Sequence, residues 1–339
     1  MIKRKGRYTT LTDGRINILG YAAVGSKKEY EGPLGNCFDK IFHDPKAGMP
    51  TWEQAESMFL KEALSIALGK STLSSEDIDY VFAGDLLNQC ISSSYGLKDF
   101  SIPYLGQYGA CSTMAQSLLM SAITLASGAA SFCAAASSSH FCAAERQYRF
   151  PLEYGGQRTP TAQWTVTGSG CCVLGKEKPS MPSVDAITVG RITDPGITDA
   201  NNMGAAMAPA AARTIMDYFK DTGKTPSEFD AIFTGDLGVV GSNLLYKLTD
   251  ESGLNIKDKH KDCGLLIYNR QTQDVHAGGS GCGCAASVLC SYILPKLETG
   301  ELRSILFIAT GALMNPTACQ QGQSIPSIAH LVELSTGCK

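Results

Sequence analysis

The chain has 339 residues, of which 44% are hydrophobic and 18% charged, and its formal net charge is −3. This length suffices for two domains or one large duplicated unit, and the hydrophobic content excludes a largely disordered chain. The slightly acidic balance, without a stripe of lysine or arginine, excludes a typical nucleic-acid-binding protein. We therefore expect a globular protein with a sizeable core and no nucleic-acid partner.

The first half of the chain alternates helical and strand-like patterns. The N-terminal segment MIKRKGRYTT is basic but lacks the apolar region of a signal peptide. Thr51 can cap a helix over residues 52–70, because a wide apolar stripe follows it. The segment DIDYVFAGDLLNQ at residues 77–89 then predicts a short buried strand that ends at Gly84 and Asp85.

A long stretch without charge follows. No Asp, Glu, Lys or Arg occurs from Phe100 to Ala144. Its most apolar part, residues 118–136, is interrupted by serines, a threonine and a glycine, so it is a poor membrane span. We predict instead a helix over residues 112–127, buried between layers because every side of it is apolar or small, followed by a buried strand.

The second half repeats the pattern of the first. DIDYVFAGDL at residues 77–86 aligns with EFDAIFTGDL at residues 228–237, and both copies continue through a small-residue turn, a long helix, a glycine and a buried strand. A repeat of this period indicates internal duplication. We predict two halves, residues 1–178 and 179–339, that form mostly parallel sheets covered on both faces by helices.

The thirteen cysteines do not predict a disulfide framework or a metal site. Their number is odd, most lie in apolar runs, and no pair of CxxC elements or zinc-spaced histidines is present. Most are expected to be buried thiols in a reducing compartment. Cys111 differs because it begins the predicted buried helix, where unpaired N–H groups and the helix dipole would lower its pKa and create a nucleophile. The alternative is a small, packed residue.

At this point the sequence resembles the thiolase and ketosynthase superfamily, whose members have two similar halves and place a cysteine at the head of a buried helix. The resemblance covers nearly the whole chain and implies a five-layered α-β-α-β-α sandwich built from two duplicated halves. The longer stretches GPLG, AGDLLNQ, YGACST, AERQYRFPLEYGGQ, TVTGSG, DCGLLIY, AGGSGC and IATGAL are similar to one branch of this superfamily that functions in bacterial spores.

The sequence departs from the catalytic members of the superfamily. Condensing enzymes pair the cysteine with a His–Asn or His–His set. Here the loop HAGGSGCGCAAS places Cys282 where some ketosynthases have asparagine, and His276 is the best remaining base. His140, after the strand that follows the Cys111 helix, could also face the pocket. The resemblance therefore implies a degraded active site in which Cys111 is a vestigial nucleophile.

The spore branch implies a ligand and a location. Its members are expected to bind dipicolinic acid as the soluble subunit of the channel that moves calcium dipicolinate, peripherally associated with the spore inner membrane and in contact with the other channel subunits. A homodimer is expected, and no cofactor, although calcium could accompany dipicolinate. The alternatives are a Cys-dependent acyltransferase or ketosynthase that uses coenzyme A thioesters, and a purely structural scaffold.

The residues suited to a planar dianion can be named. Arg146 and Arg149 would share a helical face and could clamp a carboxylate, unless their loop forms a dimer contact instead. Asp85 and Asn88, at a strand end, could orient donors or hold calcium. Cys111, Cys282 and His140 complete the predicted ligand-binding set, and no resident metal site is predicted.

Overall fold

The computed structural model describes residues 2–148, 158–176, 178 and 180–337, without the side chains of residues 13–15. The strands are β1 (Lys3–Lys5), β2 (Thr9–Ser26), β3 (Lys40–Phe42), β4 (Tyr80–Gly84), β5 (Tyr104–Gly106), β6 (Phe132–Ser139), β7 (Trp164–Thr165), β8 (Gly168–Lys176), β9 (Ser183–Thr188), β10 (Ala231–Thr234), β11 (His260–Asp262), β12 (Gly279–Ser280), β13 (Ser304–Ala312) and β14 (Ser327–Ser335). The helices are α1 (Lys27–Tyr30), α2 (Trp52–Ser71), α3 (Ile91–Leu97), α4 (Thr113–Ser127), α5 (Phe141–Tyr148), α6 (Met203–Thr222), α7 (Gly238–Glu251), α8 (Cys263–Leu266), α9 (Cys282–Val288), α10 (Leu294–Thr299) and α11 (Pro316–Gln320), and a π-helical turn at Leu289–Ile293 joins α9 to α10.

The helix boundaries follow the local sequence signals. Thr51 caps α2, and its hydroxyl accepts a hydrogen bond from the N–H of Gln54 at 3.3 Å. Helix α4 ends at Gly128 and α10 at Gly300, both in the left-handed conformation that suits glycine at a C-terminal cap. The two glycines lie at matching points of the sequence repeat, so both copies of the repeat end their helix in the same way.

The order of the strands has an internal symmetry. The main path runs β11-β10-β13-β14-β9-β2-β8-β6-β4-β5, and β1 and β3 also pair with β2. The path reads as two equivalent sets of five strands that meet at the β2–β9 pair. Strands β4 and β10, which carry the repeated segments, occupy equivalent positions, as duplication predicts. The predicted boundary at residues 178 and 179 falls between β8 and β9, and the exact division into halves stays a prediction.

Five layers are stacked around three apolar cores. Helix α2 covers the outer face of the first set of strands, and α6 packs with α7 over the outer face of the second. Helices α4 and α9 contact each other and lie between the two sets, where the central core forms. The uncharged stretch of the sequence supplies α4 and β6, which are both largely buried. Its lack of charge is explained by this burial, because a charged side chain in the middle layer would be costly to desolvate. No helix among the described residues is long and apolar enough to cross a membrane.

Candidate functional site

Cys111 lies in a tight turn at the start of α4. The turn is fixed by its own side chains, because the Ser112 hydroxyl donates to the Gly109 carbonyl at 2.7 Å and the Thr113 hydroxyl to the Ala110 carbonyl at 2.6 Å. Strand β13 of the second half passes against this turn at Gly311, where any Cβ would collide with the Gly109 carbonyl oxygen. The two halves therefore meet at the backbone that carries the thiol.

A cleft with a volume of about 50 Å³ opens above the thiol. Its walls are mostly apolar or aromatic, with a few hydroxyls and one carboxyl group. They comprise Leu86, Tyr108, Ala110, Cys111, Ala144, Glu145, Tyr148, Thr165, Met203, Met207, Ser280, Ala312 and Met314. The hydroxyls of Tyr108 and Tyr148 lie 3.1 Å apart, and Tyr148 also donates to the carbonyl of Leu86. The cleft thus joins residues of both halves around Cys111.

The pKa of Cys111 differs from the sequence expectation. Burial, with the nearby Asp236 carboxylate as the next cause, raises the pKa of the Cys111 thiol well above its usual value. The expectation that the helix N-terminus would lower this pKa is therefore wrong. A thiolate would lose its hydration and lie beside a carboxylate, and these two costs outweigh the attraction of the helix dipole. The thiol is neutral at pH 7.

Asp236, which is not among the predicted site residues, is the polar group behind Cys111. Its carboxylate accepts hydrogen bonds from the N–H of Gly281 at 2.8 Å and the hydroxyl of Thr310 at 2.8 Å. Burial raises the pKa of Asp236 to about 7, although these bonds and the Cys111 thiol lower it in part. The signal for Asp236 was its equivalence to Asp85 in the repeated segment.

Asp85 and Cys282 are both already engaged in hydrogen bonds with the protein. The Asp85 carboxylate accepts from the N–H of Leu87 at 2.9 Å and from the N–H and hydroxyl of Ser93, both at 2.7 Å. Cys282 begins α9, its thiol donates to the carbonyl of Ser138 at 2.8 Å, and it belongs with Cys111 to one small buried cluster. The structure thus brings Cys282 to the bottom of the cleft, whereas Asp85 is held in its own turn.

The structure does not bring His276 or His140 to Cys111. The ring nitrogens of His276 lie 2.7 Å from the Thr159 carbonyl oxygen and 2.9 Å from the Asp274 carboxylate. His140 is buried, with Nε2 at 2.8 Å from the Pro45 carbonyl oxygen, and burial lowers its pKa. The sequence contains five histidines, all within the described residues, and none lines the cleft. His276 therefore has no contact that would make it a base for Cys111.

Arg146 and Asn88 meet in a neighbouring cleft on the protein surface. Arg146 forms an ion pair with Glu53, and over half of its side chain is exposed. The side-chain amides of Asn88 and Gln147 are hydrogen bonded at 3.3 Å, and all four residues line the same depression. Arg149 lies outside the described residues, so the predicted two-arginine clamp stays a prediction. Of the predicted ligand-binding set, only Cys111 lines the main cleft, and Cys282 lies directly beneath it.

Comparison with known proteins gives the relatives of this chain. The family described as Stage V sporulation protein AD matches residues 6–335. The Stage V sporulation protein AD of Bacillus subtilis (strain 168) is 43% identical over 329 residues, which are 97% of each chain. Solved structures are more distant and concern the fold alone. OleA of Xanthomonas campestris with bound cerulenin is 13% identical with a TM-score of 0.60 over 99% of this chain and 98% of that one.

A second solved structure agrees. The 3-oxoacyl-[acyl-carrier-protein] synthase III of Aquifex aeolicus VF5 is 13% identical with a TM-score of 0.60, covering 94% of this chain and 99% of that one. Both likenesses cover nearly the entire chain, including both sets of strands and the middle helix layer. The predicted thiolase-like α/β fold is therefore confirmed.

Proposed function

The chain belongs to the Stage V sporulation protein AD family, and from this premise we propose that it binds dipicolinic acid without catalysing a reaction. In this role it is a subunit of the spore channel for calcium dipicolinate, a homodimer located peripherally at the inner membrane. The proposed binding site is the cleft above Cys111. Family membership supplies the biological setting, and the geometry of the cleft supplies the argument against catalysis.

One observation carries the proposal. A condensing enzyme needs a base or an oxyanion donor next to its cysteine, but none of the five histidines lines the cleft. The groups that face Cys111 are instead the carboxyl of Asp236 and the thiol of Cys282. Both are hydrogen bonded to the protein, and neither is a histidine or asparagine of the kind that condensing enzymes place beside the cysteine. The site therefore keeps a cysteine at the position of the catalytic nucleophile but lacks the histidine that would activate it in a condensing enzyme.

The cleft offers features that suit a planar aromatic acid. Tyr108 and Tyr148 provide flat apolar walls, and the methionine side chains can adapt to the edge of a ring. Cys111 directly precedes the N-terminal cap of α4, so the positive end of this helix dipole lies beside the cleft and would favour one carboxylate. No lysine or arginine among the described residues lines the cleft. Arg146 lines the neighbouring depression, and the contact proposed for Arg149 falls outside the described residues.

In this proposal, calcium is the transported ion that accompanies dipicolinate and is not a cofactor of the protein. Oxygen ligands on the protein would help to hold the chelate, but the Asp85 carboxylate already accepts three hydrogen bonds. Binding through Asp85 would therefore require its turn to open. The carboxyl group of Glu145 also lines the cleft, and it accepts a hydrogen bond from the Thr165 hydroxyl at 3.3 Å.

Calorimetric titration tests the proposal. The parent protein is titrated with dipicolinate, and with benzene-1,3-dicarboxylate as a matched ligand that lacks the ring nitrogen. Binding of dipicolinate alone, weakened in Arg146→Ala and mildly in Cys111→Ala, is the expected result, because each charge-assisted bond contributes about 1.5–3 kcal/mol. Arg303→Ala is the control, because Arg303 is exposed and precedes β13, whose other end carries the cleft residue Ala312. If the parent binds neither acid, the proposal fails.

The retained thiol favours a second candidate function, a Cys-dependent acyltransferase that uses coenzyme A thioesters. Cys111 still lies at the bottom of an open cleft. Release of free coenzyme A from acyl-coenzyme A, at a rate that Cys111→Ala abolishes and Cys282→Ala retains, would establish this alternative. We expect no such release above the background rate, because the raised pKa keeps the thiol protonated.

A further inference from the structure

The N-terminal hairpin concentrates positive charge on one part of the surface. Residues 2–7 are all exposed and contain Lys3, Arg4, Lys5 and Arg7. The first acidic residue of the chain is Asp13. Elsewhere in the described residues, lysines and arginines repeatedly pair with carboxylates, as Lys61 does with Asp99, but these four cations make no ion pair there. A protein with a net charge of −3 thus carries a basic hairpin whose cations make no ion pair within the described part of the chain.

The hairpin is held in place by one carboxylate. Strand β1 pairs antiparallel with the beginning of β2, and the turn between them lies over the C-terminal end of α6. There the Asp221 carboxylate accepts the N–H groups of Arg7, Tyr8 and Thr9 at 3.0, 2.7 and 2.9 Å. Gly6 has a φ of +66°, and a Cβ at this position would collide with Asp221. The four cations are therefore displayed from a fixed turn rather than from a loose tail.

Exposed aliphatic side chains lie on and beside this hairpin. Ile2 is 38% exposed, Val189 46% and Ile192 66%, the last being the most exposed large hydrophobic residue of the described chain. Val189 is adjacent to the hairpin, because its N–H is donated to the Tyr8 carbonyl at 3.3 Å. Ile192 follows three residues later, and Arg191 between them stacks over the Tyr8 ring at 4.2 Å. Cations and exposed aliphatic groups thus share one surface.

From this combination we infer that the basic hairpin, residues 2–7, and the adjoining segment 189–192 form the surface by which the protein binds an anionic lipid bilayer. The cations attract the negative surface of the bilayer, and the aliphatic side chains enter the boundary between headgroups and acyl chains. Nucleic acid or an acidic protein would use the cations but would leave three exposed aliphatic side chains without a role. The inference rests on the proposed peripheral location, but its test needs no dipicolinate.

Vesicle sedimentation tests the inference on the full chain. We expect the protein to sediment with vesicles of phosphatidylglycerol and phosphatidylcholine, not with pure phosphatidylcholine, and to be released progressively by salt. Lys3→Gln combined with Lys5→Gln should lower the partition coefficient about 30-fold, because each cation near the surface contributes roughly five-fold. Ile192→Ser should reduce the binding that remains at high salt.

A matched control removes two positive charges elsewhere. Lys257→Gln combined with Lys261→Gln alters exposed lysines around β11, at one end of the main sheet path, and should leave partitioning within about two-fold of the parent. An equal loss in both double variants, or binding that ignores anionic lipid, would overturn the inference. Tighter binding to duplex DNA than to vesicles, lost in the hairpin variant, would overturn it too. Calorimetry with dipicolinate on the hairpin variant keeps this outcome separate from the proposed ligand site.

Discussion

Asp236→Asn should reveal the protonation state of the carboxyl group beside Cys111. Burial raises the pKa of Asp236 from 3.8 to about 7. Between pH 3.8 and about 7, the native protein therefore keeps the carboxyl proton of Asp236, whereas the unfolded chain has released it. The sign follows from linkage: the contribution to stability is fully present below pH 3.8 and is lost as the pH rises through about 7. Asparagine does not titrate, so the variant lacks this pH dependence.

The magnitude follows from the same two values. A change in pKa from 3.8 to about 7 corresponds to about 4 kcal/mol over the full titration. The free energy of unfolding of the parent minus that of the variant should fall by about 1.4 kcal/mol per pH unit between about pH 4.5 and 6.5 and level off above about pH 8. His260 and His330 titrate near this window in both proteins and cancel in the difference. Asp262 also titrates in this window, and because its charge raises the pKa of Asp236, the measured slope contains the coupled titration of the two carboxyl groups.

Urea unfolding followed by circular dichroism, repeated across this pH range, measures the difference. Thr249→Val is the control, because it removes a buried hydroxyl that donates to the Leu245 carbonyl at 2.9 Å and no titrating group. Its difference from the parent should not depend on pH. If the difference for Asp236→Asn is equally flat, then Asp236 is ionised in the native protein across this range, and the raised pKa of this carboxyl group is refuted.

Two further predictions concern the same site. The affinity for dipicolinate, measured by calorimetry, should fall as the pH rises through about 7, because an ionised Asp236 repels the dianion. Asp236→Asn should remove this pH dependence. An affinity that changes with pH in the same way in both proteins would contradict the prediction. Gly311→Ala should lower the urea midpoint, because the new Cβ would collide with the Gly109 carbonyl oxygen. Gly69→Ala in α2 is the control, because its Cβ meets open space and should stabilise the protein by about 0.5–1 kcal/mol. Equal midpoints in the two variants would count against the close approach of Gly311 to Gly109.

The fold could be read from the sequence because its signals are local and repeated. Thr51 begins α2 as predicted, and the helix predicted over residues 112–127 is observed as α4 at Thr113–Ser127. The repeated segments occupy equivalent strands because each copy carries the same alternation of apolar strand, turn and helix. The pairing of β2 with β9, which joins the two sets, was not predictable, since it depends on a register between segments about 175 residues apart.

The site was less predictable because its electrostatics depend on distant residues. Cys111 was identified from its place at a helix start, but the direction of its pKa is set by burial and by Asp236, 125 positions later. His276 lies in the expected loop, yet Asp274 and Thr159 hold its ring. Arg146 similarly forms an ion pair with Glu53, which lies on the outer helix α2. A sequence motif specifies which residue is present, whereas the neighbours that capture its side chain are specified only by the fold.

The neutrality of Cys111 connects the loss of catalysis to the proposed binding. A thiolate at the start of α4 would itself compensate the positive end of the helix dipole, and no anion of the ligand would be attracted there. Because burial and Asp236 keep the thiol protonated, no thiolate compensates the positive end of the α4 dipole, which can attract a carboxylate from outside. On this proposal, the change that removes the nucleophile is the same change that creates the anion site. The retained cysteine is then explained by its size and neutrality, and an alanine at position 111 should preserve most of the affinity for dipicolinate.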